Sequence, residues 1–286
     1  MKKKHIKMRF WVVFFIGSYL WGAVLCVAAC LLNGCGAARE TERIKDHVLS
    51  QVEEELNNED SFAPRTVDER REDEEIAALL LKVPDYSGVP YAVIDGDVPG
   101  FSMTEIKLAK SAAFISTSPL DSLNRCGTAE ICFKKDDMPS APRGEIGDVK
   151  PTGWKQAKYD MTVTGTDSPY LYNRCHLLAY MFSGLNADER NLITGTRYMN
   201  TEGMLYPVEG VIADFVEENP DMHVLYRATP DFHGNDLLAH GVLMEAVSVE
   251  DNGISLSICR YAYNVEPGVT IDYSDGNSKG PEYKGR

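Results

Sequence analysis

The stretch YNRCHLLAYMF, residues 172–182, decides how the chain is divided. A histidine stands behind an arginine and a cysteine, and an apolar run follows it. Downstream the pattern turns helical. Pro207 suits a first helical position, and Val208, Val211, Ile212, Phe215 and Val216 recur on one face until Asn219-Pro220 stops the pattern. Strands are expected next at 223–229, 237–249, 254–265 and 269–273, with Asp251-Asn252-Gly253 as a hairpin turn. Upstream, YAVIDGD (91–97) reads as a strand entering a turn and KPTGW (150–154) as a turn. Strands, the histidine segment, a helix and an antiparallel meander do not alternate. The expected fold class is therefore α+β, an antiparallel sheet with flanking helices, over residues 82–286.

The 286 residues are long enough for a real core, and 44% hydrophobic with 25% charged residues is ordinary for a globular chain. A net charge of −14 argues against a polyanionic partner unless a basic patch is local. The N-terminus is a targeting segment. MKKKHIKMR is basic, and residues 10–38 carry no charge. The apolar run 10–32, as a helix, would reach roughly 34 Å, enough to cross a bilayer. Lysines before it and acids after it put the N-terminus inside and the rest outside. An uncleaved signal anchor fits, and so does a lipoprotein signal with LNGC (32–35) as its lipobox and Cys35 lipidated. Residues 1–35 are thus expected to be signal or anchor. Residues 36–81 are expected to be an acidic, solvated spacer, with a helix over 40–56, because 36–75 holds 14 acids against 6 bases. Beyond the targeting segment the cysteines are Cys126, Cys132, Cys175 and Cys259. A short Cys126–Cys132 loop and four free buried thiols both fit.

Several chemistries compete for His176. Cys175-His176 suggests a cysteine hydrolase, but adjacent residues rarely face each other, and such pairs come together from distant sequence. A zinc site could draw on His176, His223, His233 and His240 with cysteines, but the usual spacings are absent. His240 lies in a strand pattern and reads as structural, while His223 and His233 sit near turns and read as solvated. An isolated histidine on an apolar stretch is by default a packed one.

The wider pattern points elsewhere. Asn173-Arg174-x-His176 is followed by RNLI (190–193), by MNTEG (199–203) and then by Glu209. This order resembles the DNA/RNA non-specific endonuclease family of the ββα-metal superfamily. That family's signature is Asp-Arg-Gly-His, followed by an Asn-Ile stretch and a metal-binding Asn. LDSLNRCG (120–127), RGEIGDVKPTGW (143–154) and YNVEPGVTIDY (263–273) extend the likeness to the secreted and surface nucleases of Gram-positive bacteria. The resemblance implies a ββα-metal core. It implies an extracytoplasmic endonuclease, tethered or secreted, that hydrolyses DNA, with RNA as a second substrate, and leaves a 5′-phosphate. No organic cofactor is expected.

The same resemblance assigns roles. His176 is the general base, since a neutral imidazole titrates near working pH. Asn200 holds the ion, Mg²⁺ with Mn²⁺ as the alternative, and Glu209 touches it through water or orients it. Arg174 meets phosphate, for which a guanidinium fork is suited, and Arg143 and Arg197 are further substrate contacts. Asn173 completes the catalytic set where the signature has Asp, and Cys175 stands where it has Gly. Each assignment has a plainer competitor. Asn200 could cap a helix, Glu209 could be an ordinary first-turn acid, and the arginines could pair with the many acids. The rival from another class is a DNA-binding or uptake protein on a degenerate nuclease fold. Because only a few arginines would bind the backbone, substrate binding is expected to be weak and inhibited by salt.

Overall fold

The computed structural model describes residues 67–160 and 168–285. The basic leader, the apolar run 10–32, the 40–56 helix and the rest of the stretch up to 66 lie outside the described residues. Among the described residues no helix is long and apolar enough to cross a membrane.

The described residues belong to one compact unit that starts at Val67. The end of the stretch read as spacer is a helix, α1 (Val67–Leu80), whose Ile76 and Leu79 are buried. After β1 (Tyr91–Val93), Ser102 opens α2 (Met103–Ala109) with a reciprocal capping box. The Ser102 hydroxyl accepts from the Glu105 N–H, and the Glu105 carboxylate accepts from the Ser102 N–H. Then come β2 (Phe114–Thr117), β3 (Ala129–Phe133), β4 (Tyr172–His176), the single-turn α3 (Tyr180–Ser183) and β5 (Leu192–Thr196). A helix with π-type hydrogen bonding (Met199–Glu209) runs straight into α4 (Gly210–Glu218). The meander β6 (Val224–Asp231), β7 (Gly241–Ser248) and β8 (Ser257–Tyr263) follows, and the small hairpin β9 (Thr270–Ile271) and β10 (Ser278–Lys279) closes the chain.

Six strands form one antiparallel sheet in the order β1-β8-β7-β6-β3-β2, and β4 pairs only with β5. The period of two sorts side chains to the sheet's two faces. Ala129, Ile131 and Phe133 of β3, Val224, Tyr226 and Ala228 of β6, and Val242, Met244 and Ala246 of β7 join one core. That core also holds Cys175, Ile193, Val208, Ile212 and Val216, so the β4–β5 hairpin and α4 cover this face. The alternate residues Cys132, Leu225, Leu243 and Val247 pack beneath α1 and α2 on the other face. With both faces covered, all eight residues of β7 are buried.

The helix start differs from expectation. Pro207 is not a first-turn residue but lies inside the 199–209 helix. Proline in an α-helix would leave a carbonyl unpaired and collide with the preceding turn. Here the turn is widened, the Gly210 N–H donates to the Leu205 carbonyl, and the Pro207 carbonyl accepts from Arg260. The helix ends as expected, with the Asn219 side-chain amide donating to the Phe215 carbonyl. The turn between β7 and β8 also has the expected conformation, Asn252 at φ 59° and Gly253 at φ 86°. All four cysteines outside the targeting segment are free and buried. Cys126 lies in the core on one face of the sheet and Cys132 in a core on the other.

One arginine ties the helical layer to the sheet. Arg227 of β6 is fully buried and registers between Glu130 of β3 and Glu245 of β7. Its guanidinium lies 3.0 Å from Glu245, 2.9 Å from Glu105 of α2, 3.4 Å from Glu72 of α1 and 3.7 Å from Glu130, with the Phe101 ring 4.3 Å away. Four carboxylates surround one cation, so the cluster is short of positive charge. Burial pushes Glu130 up to about 7 against the pull of Arg227, and raises Glu72 as well. Burial also raises Glu266 to about 7. These carboxyls bind protons more tightly folded than unfolded, so their contribution to stability is full below about 4.5 and is lost as pH rises through about 7. The buried His176, held below its ordinary value, acts in the opposite sense but is a single group. The melting temperature is accordingly expected to fall by several degrees between about pH 5.5 and about pH 8, with Glu130→Gln flattening the slope. A calorimetric pH series checks this; a rise across the window would contradict it.

Candidate active site

His176 ends β4 and is 7% exposed. The chain beyond it is fixed by Asn191, wholly buried, whose side chain accepts from the Leu178 N–H and donates to the Leu178 carbonyl. The Tyr226 hydroxyl donates to the Leu177 carbonyl from the sheet below. The imidazole Nε2 lies 2.8 Å from the backbone carbonyl of Asn186. A carbonyl only accepts, so Nε2 carries the proton and Nδ1 of the neutral ring keeps its lone pair. Nδ1 faces Nη2 of Arg143 at 3.4 Å. Burial pushes the histidine below its ordinary value, the Asn186 carbonyl opposes that, and the Arg143 charge adds to the depression. His176 is therefore neutral at neutral pH, with a proton-accepting nitrogen aimed at a cation.

All seven residues singled out from the sequence line one open cleft of about 820 Å³: Asn173, Arg174, His176, Arg143, Arg197, Asn200 and Glu209. Asn200 and Glu209 are nine residues apart, about two and a half turns of α-helix, which would set them on opposite sides. The i→i+5 bonding of the 199–209 helix takes more residues per turn, and both reach the cleft. Asn200 is not a cap, because the helix is already under way at Met199. Nor does Glu209 sit in a first turn. It is buried, and burial alone pushes its carboxyl up to about 8; no hydrogen bond or counter-charge meets it among the described residues. An amide oxygen and a lone carboxylate are the hard donors a small divalent cation takes, so these residues fit such an ion.

The arginines divide. Nε of Arg174 donates to the Val149 carbonyl, its Nη2 donates to the Gly147 carbonyl at 2.6 Å, and its plane stacks on Trp154 at 4.2 Å. Two of its five N–H donors thus hold the loop that edges the cleft. Arg197 has a buried Nε with no partner among the described residues, and Arg143 is exposed.

The rival chemistries lose their geometry. Cys175 is fully buried, points between Gly195 and Met199, and its thiol is raised far above the usual range by burial. Cys175→Ala should cleave substrate within about twofold of the wild type, since nothing at the cleft changes; an inactive but folded variant would restore the cysteine hydrolase. His223, His233 and His240 are paired with Glu250, Asp231 and Asp236, and His240 stacks between His233 and Tyr273. Among the described residues the acidic trio Glu72, Glu105 and Glu130 is the only cluster with metal-ligand spacing, and it surrounds Arg227 instead. Sequence reasoning missed Asn186, Trp154 and Tyr180. Each is a single residue in a loop or short helix, with no periodicity or spacing to mark it.

An antiparallel hairpin with a histidine leads into a helix that carries an asparagine and a glutamate, a ββα arrangement. NucA from Streptococcus agalactiae, solved with a magnesium ion bound, shares the fold at a TM-score of 0.58, with 19% identity over 73% of this chain and 94% of that one. The Sda1 nuclease, solved with a bound zinc ion, gives 0.52 at 27% identity, over 58% of this chain and 81% of that one. Residues 115–250 match the family described as DNA/RNA non-specific endonuclease. A deoxyribonuclease of Streptococcus dysgalactiae subsp. equisimilis is 29% identical over 159 residues, 54% of this chain and 45% of the relative. The chain thus matches less than half the length of that curated relative.

Proposed function

We propose that the protein is an extracytoplasmic endonuclease that hydrolyses DNA, and RNA as a second substrate, without sequence preference. The observation that carries this is the hydrogen bond from His176 Nε2 to the Asn186 carbonyl, which leaves a buried, neutral imidazole whose unprotonated Nδ1 faces Arg143 at the edge of the cleft. In this scheme Nδ1 takes the proton of the attacking water. Arg143 and Arg197 hold phosphate oxygens, and Arg174 keeps the 147–149 loop in place. The Asn200 amide oxygen and the Glu209 carboxylate, both at the cleft, would hold Mg²⁺ or Mn²⁺. When bound, such an ion supplies Lewis acidity at the phosphoryl and leaving oxygens. Backbone contacts from a few arginines carry no base readout, which accounts for non-specificity and for an acidic protein with a local basic site. The uncharged segment 10–38 behind a basic leader is the membrane tether.

The test is plasmid nicking by the purified chain with Mg²⁺, with Mg²⁺ plus excess EDTA, and with His176→Ala. Nicking only in the first arm is expected. Folded wild-type protein that cuts neither DNA nor RNA with Mg²⁺, Mn²⁺ or Ca²⁺ would remove the enzyme and leave a nucleic-acid-binding protein.

A further inference from the structure

Residues 141–149 cross the edge of the cleft without helix or strand, and most of them are exposed. Three side chains from the segment around His176 pin this strap. The Tyr180 hydroxyl donates to the carbonyls of Ala141 and Pro142, at 2.9 and 3.2 Å. Arg174 takes the carbonyls of Gly147 and Val149. Asn186 takes the middle: its Oδ1 accepts from the Gly144 N–H at 3.1 Å and its Nδ2 donates to the Glu145 carbonyl at 3.0 Å. The seat is tight, since a Cβ on Gly144 would lie 2.9 Å from the Asn186 amide nitrogen. The residue just before this clamp is Arg143, whose guanidinium reaches His176 Nδ1. The backbone carbonyl of the same Asn186 holds the opposite nitrogen of that ring.

We infer that Asn186 is a positioning residue: its side chain seats Arg143, and its carbonyl orients His176, so that a phosphate gripped by the arginine lies beside the base. The inference rests on the reading of His176 as general base. An exposed arginine on an unstructured strap has many rotamers and a mobile backbone. Two amide hydrogen bonds immediately after it remove most of the backbone freedom, so the guanidinium is delivered and does not have to search. Asn186 touches no substrate in this scheme and acts through Arg143.

A double-mutant cycle on the full chain tests it. DNA cleavage is measured for Asn186→Ala, Arg143→Ala and the pair, with His176→Ala alongside and thermal melting of each. Asn186→Ala and Arg143→Ala should each lower kcat/KM on the order of tenfold. The pair should fall no further than Arg143→Ala alone, because a pin is worthless once the residue it seats is gone. Gly144→Ala, which displaces the amide from the other side, should reproduce the Asn186→Ala loss and the same non-additivity. A loss in the pair equal to the product of the singles would make Asn186 merely structural and overturn the inference. So would wild-type kinetics in Asn186→Ala beside an inactive His176→Ala. A His176→Ala variant that still cleaves would instead remove the base assignment itself, a separate failure.

Discussion

Arg227→Met should destabilise the folded unit by about 3–5 kcal/mol, the range for breaking a buried charge network from one side. The arginine is wholly buried, and so is Glu245, which receives two of its hydrogen bonds. Removing the cation leaves Glu245, Glu130, Glu105 and Glu72 facing one another with no positive charge among them. They would have to take up protons or draw apart, and drawing apart means lifting α1 and α2 from the sheet. For a domain of this size the melting temperature should drop by roughly 10 °C. The loss should grow with pH, since Glu130 and Glu72 are held above the usual carboxylate range by burial even with the arginine present. Urea unfolding of Arg227→Met at two pH values measures both effects. A change below about 1 kcal/mol would show that the cluster is replaceable by ordinary packing. Cleavage by the fraction still folded should persist, because Arg227 lies on the sheet face away from the β4–β5 hairpin.

That cluster also shows where the sequence stops being legible. Glu72 and its neighbours in 67–80 have the charge density of a solvated arm, and local composition says nothing else. What makes the segment fold is an arginine about 150 residues later, together with two apolar residues, Ile76 and Leu79. Strong local signals did transfer: the β6–β8 meander, its Asn252-Gly253 turn and the stop at Asn219 each depend on neighbours in sequence. The cleft residues were singled out through the resemblance of their motifs to a nuclease family, and the structure brings all seven to one cleft. Their detailed geometry was not readable. Pro207 looked like a helix start, yet the widened helix that encloses it is what turns Glu209 toward Asn200. The strap and its Asn186 pin are made of long-range side-chain bonds to backbone carbonyls and amides, which leave no periodic trace.

His176→Ala should lower kcat for DNA cleavage by about 10²–10⁴-fold, the usual weight of a positioned general base, with little change in KM. The ring is held from behind by the Asn186 carbonyl and faces Arg143 in front, and it sits at the cleft, not in the apolar core, so its loss should cost the fold little beside what it costs the reaction. The pH profile carries independent information. Only the neutral imidazole can accept the water's proton, so activity should fall as pH drops through the histidine's value. Burial and the Arg143 charge hold that value below the ordinary 6.5, so the acid limb should lie below about 6.5 and the rate should be flat through neutrality. Arg143→Ala should move the limb upward, because one of the two depressing influences is gone while burial remains. A His176→Ala enzyme within tenfold of wild type, or an acid limb unmoved by any change at His176 or Arg143, would place the base elsewhere. Glu209 would then be the first group to substitute, since it is a buried titratable group in the cleft that no hydrogen bond or counter-charge meets among the described residues.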